Sequence, residues 1–256
     1  MTEQHPLGPL LRRWSKYVHF SQEDRQELLD LPFVHRPFGK DAYLVREGQK
    51  TSECCLLLKG FAFRHKLLRS GARQIISIHI PTEFVDLQNG LLDVADHNVQ
   101  CLSQCEVAIV PRAALMALAD RRPAIRMAMW IETLLDASIF REWVVNVGRR
   151  DSRARIAHLL CELAFRLESI GASHDGMVEF PLTQEQLADC TGLTPVHTNR
   201  TLQGLRRDGL IQLNARSLSI LDWDKLREAG DFDELYLHHQ GAKLAEPAPP
   251  SHPGTV

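Results

Sequence analysis

The sequence predicts an α+β protein of two domains, and three features carry that prediction. Short apolar runs broken by glycines and a proline fill the stretch from Phe38 to Val110, an unbroken helical pattern follows Pro123, and residues 183–207 read as two capped helices joined by a glycine turn. A chain of 256 residues exceeds what one compact core usually holds, and 44% hydrophobic with 24% charged residues describes an ordinary globular protein. The formal net charge of -2 gives no bulk attraction to nucleic acid, so any basic surface must be local. No apolar run reaches the roughly 18 to 20 residues of a membrane span, and MTEQHPLGPLLRRWSK lacks the basic-then-apolar order of a secretory signal, so a cytoplasmic location and no membrane partner are expected. The six cysteines, at 54, 55, 101, 105, 161 and 190, are too scattered for a disulfide framework and read as packed thiols.

SQEDRQELLDL (21–31), with a Ser cap and acidic first turn, predicts a short helix opening the fold. AYLV, CCLLL, FAFRHKLL, QIISIHI and CEVAIV then read as strands separated by glycines at 48, 60 and 71 and by Pro81, the pattern of a sandwich or barrel. ALMALADRR is a short helix, and Pro123 suits the first turn of a long one running to about Val147. The long helix is apolar nearly all round, from Ile125 through Trp130 and Leu134 to Val145, so part of it packs on the strands and the rest is expected to meet a second copy. Gly148 and RRDSRAR read as a hinge. Asp151 or Ser152 caps the next helix, which ends at Gly171. A strand pair around MVEFPL, a β-like IQLNARSLSIL and a last helix near WDKLREAGDFDELYLHH complete the second domain, and the Pro-rich tail 241–256 is expected to be disordered. The boundaries are thus 1–147 with the long helix at about 123–147, 148–240, and the tail.

Thr183 and Gln186 form a capping box, Gly192 supplies the turn, and Thr194-Pro195 gives a cap and N1 proline: a helix-turn-helix. At 100° per residue Thr198, Thr201, Leu202 and Leu205 share the second helix's inner face, while Val196, Arg200, Gln203 and Arg207 lie opposite with Asn199 at the edge. From Pro195 to Arg216 the basic residues are Arg200, Arg206, Arg207 and Arg216 against one acid, Asp208. Arg can fork onto guanine, Gln or Asn can pair with adenine, Val can meet a thymine methyl, and Thr194 with the helix N-terminus suits a phosphate. The candidate DNA-binding residues are Thr194, Val196, His197, Asn199, Arg200, Gln203 and Arg207.

The order of strand-rich domain, long helix, GRRDSRARIAHLLCEL, LTQEQLADCTGLTPVHTNRTLQGLRRDGLI and LSILDWDKL resembles the Crp/Fnr family of bacterial transcription regulators over residues 20–237, with looser support from REGQ, LLLKG and CEVAIVPR. The resemblance implies a β-roll of the cyclic-nucleotide-binding type, a dimerisation helix and a winged helix-turn-helix with residues 211–221 as the wing. It further implies a homodimer on a pseudo-palindromic duplex and RNA polymerase as a further partner. The chain departs from the family pattern in three places. Counting back from Cys105, the phosphate-binding Arg-Ser pair of cyclic-nucleotide-binding members falls on Ala95 and Asp96, so cyclic AMP binding is not expected. The iron-sulfur branch's N-terminal cysteines are missing, and adjacent Cys54 and Cys55 point to opposite faces of their strand. Val196 stands where many relatives carry a cytosine-reading Glu, while Arg200 matches the base-reading Arg.

No cofactor or metal is expected from motif spacing. Haem stays open, because twelve histidines, among them His65, His79, His158, His238 and His239, and five methionines carry no local ligand pattern. The candidate effector contacts are Glu83, Asp86, Asp96, His97 and Asn98. No nucleophile-base pairing or phosphate loop points to an enzyme. The competing reading is a ligand- or haem-binding sensor whose helix-turn-helix mainly serves protein contacts.

Overall fold

The computed structural model describes residues 5–174, 176–214 and 216–239; the expected disordered tail lies outside them. Eleven strands and eight α-helices are described. The fold opens on α1 (Gly8–Trp14), ahead of α2 (Gln22–Leu29), which corrects the expectation that the Ser21-capped helix comes first. At seven residues α1 is too short to display a periodic stripe, yet Leu7, Leu10, Leu11 and Trp14 are all buried. Ser21 and Asp24 close a reciprocal capping box on α2.

Strands β1 (Val34–Phe38), β2 (Tyr43–Val45), β3 (Glu53–Lys59), β4 (Ala62–Leu67), β5 (Arg73–His79), β6 (Asn98–Cys101) and β7 (Cys105–Pro111) form two facing antiparallel sheets, ordered β1-β7-β3 and β2-β6-β4-β5. Val45, Leu57, Ala62, Val99, Cys101 and Val107 meet between them as the roll's interior. Gly60 turns β3 into β4 at φ +83°, and a Cβ there would stand 2.3 Å from the Gln104 carbonyl oxygen, so no other residue fits. Cys54 and Cys55 divide as alternation requires: Cys54 packs toward α1 and α2, Cys55 into the roll. All six cysteines are buried and free.

Helix α3 (Arg112–Arg121) leads into α4 (Pro123–Arg149), one unbroken helix of 27 residues. Gly148 lies in its last turn, so the break falls at Arg150, which is extended, and not at the glycine. Ile125, Ala128, Met129, Leu135 and Trp143 face the chain's own core. Met127, Trp130, Leu134, Phe140, Val144 and Val145 are exposed.

The C-terminal domain comprises α5 (Ser152–Ser169, capped by Asp151), β8 (Ser173–His174), β9 (Met177–Glu179), α6 (Gln184–Thr191), α7 (Pro195–Arg207), β10 (Ile211–Asn214), β11 (Ser217–Ile220) and α8 (Trp223–Gly230). Its sheet runs β10-β11-β9-β8, with β10 and β11 as the expected wing hairpin. The last helix breaks at Asp231, in the left-handed region, before a 3-10 turn over Glu234–Leu237. One apolar core joins Phe63, Ile75 and Ile78 of the roll to Ile156, Leu160, Leu187 and Leu205 of this domain. Polar bonds reinforce the junction: Arg73 pairs with Asp189 at 2.7 Å, and Gln74 donates to the Asp189 carbonyl at 2.7 Å. These contacts seat the helix-turn-helix against the roll within one chain.

Candidate nucleic-acid interface

The helix-turn-helix is built by local chemistry that the sequence spells out. The Thr183 hydroxyl accepts from the Gln186 N–H at 3.2 Å while the Gln186 side chain accepts from the Thr183 N–H at 2.9 Å, starting α6. Gly192 ends α6 in the left-handed region at φ +65°, and Thr194 caps α7 by accepting the His197 N–H at 3.3 Å. Pro195 at the start of α7 gives up only an N–H that has no helical partner there.

Helix α7 then sorts its residues by face. Thr198, Leu202 and Leu205 are buried, with Thr201 half-buried beside them. Thr194, Val196, Arg200, Gln203 and Arg207 are exposed, Val196 at 82%. His197 and Asn199 are half-buried at the rims, and Asn199 accepts a 3.4 Å hydrogen bond from Gln184 of α6. Val196, Arg200, Gln203 and Arg207 therefore share the outer face of α7, with His197 and Asn199 at its rims and Thr194 at its N-cap. Among the described residues Arg200 has no ion pair or hydrogen bond, so its five donors face solvent. Arg206 donates to the Leu213 carbonyl at 3.3 Å and ties the wing to α7. Sequence reading missed Arg153 of α5, which pairs with Asp208 at 2.7 Å beside the end of α7; the charge run GRRDSRAR was its only signal.

The five candidate effector residues are not brought together. Glu83 is buried among charges: it pairs with Arg166 at 3.1 Å and Arg13 at 3.6 Å and accepts from the Ile80 N–H, and although burial opposes ionisation, Arg166, His79 and Arg13 hold its carboxyl well below the usual range. Asp86 sits at the edge of a separate open cavity of about 200 Å³ beside Arg46, Lys50 and Glu53, and accepts the Cys55 N–H at 2.7 Å. Burial pushes its carboxyl up to about 7. Asp96 is exposed and holds His97 Nδ1 at 2.6 Å, while Asn98 accepts the Glu47 N–H at 3.1 Å. Among the described residues His97 Nε2 reaches only Gln88, at 3.1 Å.

Between the roll and α4 lies a cavity of about 30 Å³, lined by Arg64, His79, Glu83, Gln88 and Asp136 among others. That is room for about one water, against the several hundred Å³ a small-molecule site occupies. Arg64 fills it from β4, pairing with Asp136 of α4 at 2.7 Å and donating to the Val85 carbonyl at 3.0 Å. The sequence signal was a charged residue inside the apolar run FAFRHKLL, which reads as an exposed strand position. His79 Nε2 and Arg64 Nε are buried without a protein partner and border this space. No group of three or more His, Cys, Asp or Glu able to hold a metal occurs among the described residues. No described helix is long and apolar enough to cross a membrane.

A roll, a long half-exposed helix and a winged helix-turn-helix with a donor-rich outer face define a DNA-binding regulator of two domains. Residues 35–122 match the cyclic nucleotide-binding domain, and residues 154–229 match the Crp-like helix-turn-helix domain. The transcriptional activator protein FnrL of Cereibacter sphaeroides is 28% identical over 81% of this chain and 86% of its own length. The nitrogen fixation regulation protein FixK of Azorhizobium caulinodans is 26% identical over 87% of this chain and 90% of its own. In fold, FixK2 from Bradyrhizobium japonicum superposes with a TM-score of 0.72 at 22% identity, covering 78% of this chain and 98% of that one. The chain belongs to the Crp/Fnr family of transcription regulators.

Proposed function

We propose that this regulator acts as a homodimer whose two α7 helices enter successive major grooves of a pseudo-palindromic duplex, about 34 Å apart. The single observation that carries the reading is the exposed row Val196, Arg200, Gln203 and Arg207, in which Arg200 has no competing partner among the described residues. Sequence-specific contact follows from chemistry: Arg200 forks onto guanine O6 and N7, Gln203 offers a bidentate match to adenine, and Val196 meets a thymine methyl. Thr194 and the α7 N-terminus take a backbone phosphate, with His197 and Asn199 at the rims of the contact.

Pairing is supported by α4. Met127, Trp130, Leu134, Ala137, Arg141 and Val144 recur at alternating intervals of three and four, the spacing of a two-helix seam, with Trp130 and Leu134 more than half exposed. The Arg64–Asp136 bridge fills the space between roll and helix, which supports a regulator that does not take cyclic AMP there. The relatives named as transcriptional activators support RNA polymerase as a partner. We read the chain as a non-enzymatic, cytoplasmic protein, with target sites on the chromosome as its ligand. Selection of duplexes from a random pool by the purified protein at fixed salt tests the reading: an inverted repeat is expected, and a pool that stays random overturns it.

A further inference from the structure

We propose that Arg153 and Arg207 form a clamp for one DNA backbone phosphate on the flank of α7. This rests on the DNA-binding reading and adds to it a backbone contact at the edge of the exposed row, where Arg207, its last member, has no base assigned to it. Arg153 stands in the first turn of α5, and its guanidinium pairs with Asp208 just past the end of α7 at 2.7 Å; the two side chains are 41% and 40% exposed. Arg207 approaches the other oxygen of the same carboxylate at 3.8 Å and is 80% exposed. The two guanidinia converge on the bare helix surface at Gly204. The point where a Cβ would stand lies 3.7 Å from Arg153 Nη1 and 4.0 Å from Arg207 Nη2.

Two cations share one carboxylate, so the cluster keeps one uncompensated positive charge, and its longer arm is free to turn outward. At 100° per residue Gly204 lies about 40° round the helix from Arg200, beside the row that faces the bases and not within it. A helix seated in the major groove has a phosphate backbone along each flank, and this flank is where the clamp sits. None of the described cavities is lined by Arg153, Gly204, Arg207 or Asp208. The clamp's geometry, two planar forks around one point, suits the paired oxygens of a phosphodiester. Asp208 holds Arg153 and Arg207 together before DNA arrives, and the phosphate replaces its longer contact.

Fluorescence anisotropy of Arg153→Ala, Asp208→Asn and Arg200→Ala against a selected duplex and a mixed-sequence duplex, over a salt series, tests the clamp. Arg153→Ala is expected to weaken both duplexes alike, by about tenfold, and to lower the salt slope by about one. Arg200→Ala weakens the selected duplex alone. Asp208→Asn separates phosphate binding from mere bracing: it leaves both guanidinia, removes their competitor, and is expected to tighten binding to both duplexes several-fold. Were Arg153 only a strut for α7, Asp208→Asn would weaken binding as Arg153→Ala does, and that result overturns the clamp. Unchanged affinity and slope in Arg153→Ala, with Arg200→Ala still impaired, overturns the clamp and leaves the DNA reading standing. Failure of the wild-type protein to bind either duplex overturns both.

Discussion

Replacing Leu134 by Asp tests whether the exposed stripe of α4 is a dimer seam. Leu134 is 63% exposed in the single chain and Trp130, one turn before it, 62%. Complete burial of a leucine is worth about 2 kcal/mol, so the part of Leu134 left to cover contributes roughly 1.3 kcal/mol per protomer, or about 2.6 kcal/mol for the symmetric pair. Asp deletes that contribution and brings two carboxylates toward each other across the dyad, which adds about 1 to 2 kcal/mol of desolvation and repulsion per protomer. The total of about 5 kcal/mol raises the dimer dissociation constant by three to four orders of magnitude. Sedimentation velocity over a nanomolar to micromolar range reads this directly, with far-UV circular dichroism confirming that the variant stays folded. Leu134→Met, which conserves volume, is expected to remain dimeric. A Leu134→Asp protein that associates with wild-type affinity, or a wild-type protein that is monomeric throughout, refutes the seam.

Arg200→Ala is expected to cost roughly 1 to 3 kcal/mol at one base pair and to relax the identity of that base, measured with single-substitution duplexes; uniform loss at every position would deny it a reading role. Isothermal titration of the full chain with cyclic AMP should give no heat of binding, because Arg64 and Asp136 already fill the roll–helix space, and micromolar affinity would contradict that account. Asp86 makes stability fall with pH: its folded carboxyl is pushed up to about 7 by burial, so between roughly pH 4 and 7 the folded state binds more protons than the unfolded one and loses stability as pH rises. Asp86→Asn keeps an oxygen for the Cys55 N–H, so urea titration should find it more stable than wild type by a few kcal/mol at pH 8 and equal near pH 4; a difference independent of pH removes this explanation.

What the sequence made legible was whatever local chemistry decides. The Thr183 capping box, the Ser21 and Thr194 caps, a cap at Asp151 or Ser152, the Gly192 turn and the partition of α7 into inner and outer faces are short-range events, and residue type alone announces them. Helix α1 escaped notice because its stability comes from tertiary burial of Leu10, Leu11 and Trp14, with seven residues too few to show a period. Strand β1, VHRPF, is exposed along nearly its whole length, so no apolar alternation marks it, and its place is set by pairing with β7. The effector candidates were grouped by polarity and neighbourhood in sequence, whereas the fold sends them to different partners: Glu83 finds Arg166 83 residues away, Asn98 accepts from the Glu47 N–H 51 residues away, and Asp96 holds its neighbour His97. Arg64 was hidden for the same reason, its partner Asp136 lying 72 residues away on α4.

The central claim is that two copies of α7 read two major grooves one helical turn apart. Dimethyl sulfate protection at guanine N7, on the duplex recovered by selection, tests it most directly, since N7 lies in the major groove where Arg200 would bind. Two symmetric protected guanines, centred about 10 to 10.5 base pairs apart and both lost in Arg200→Ala, are predicted. A single protected half, or protection that persists without Arg200, would contradict the account.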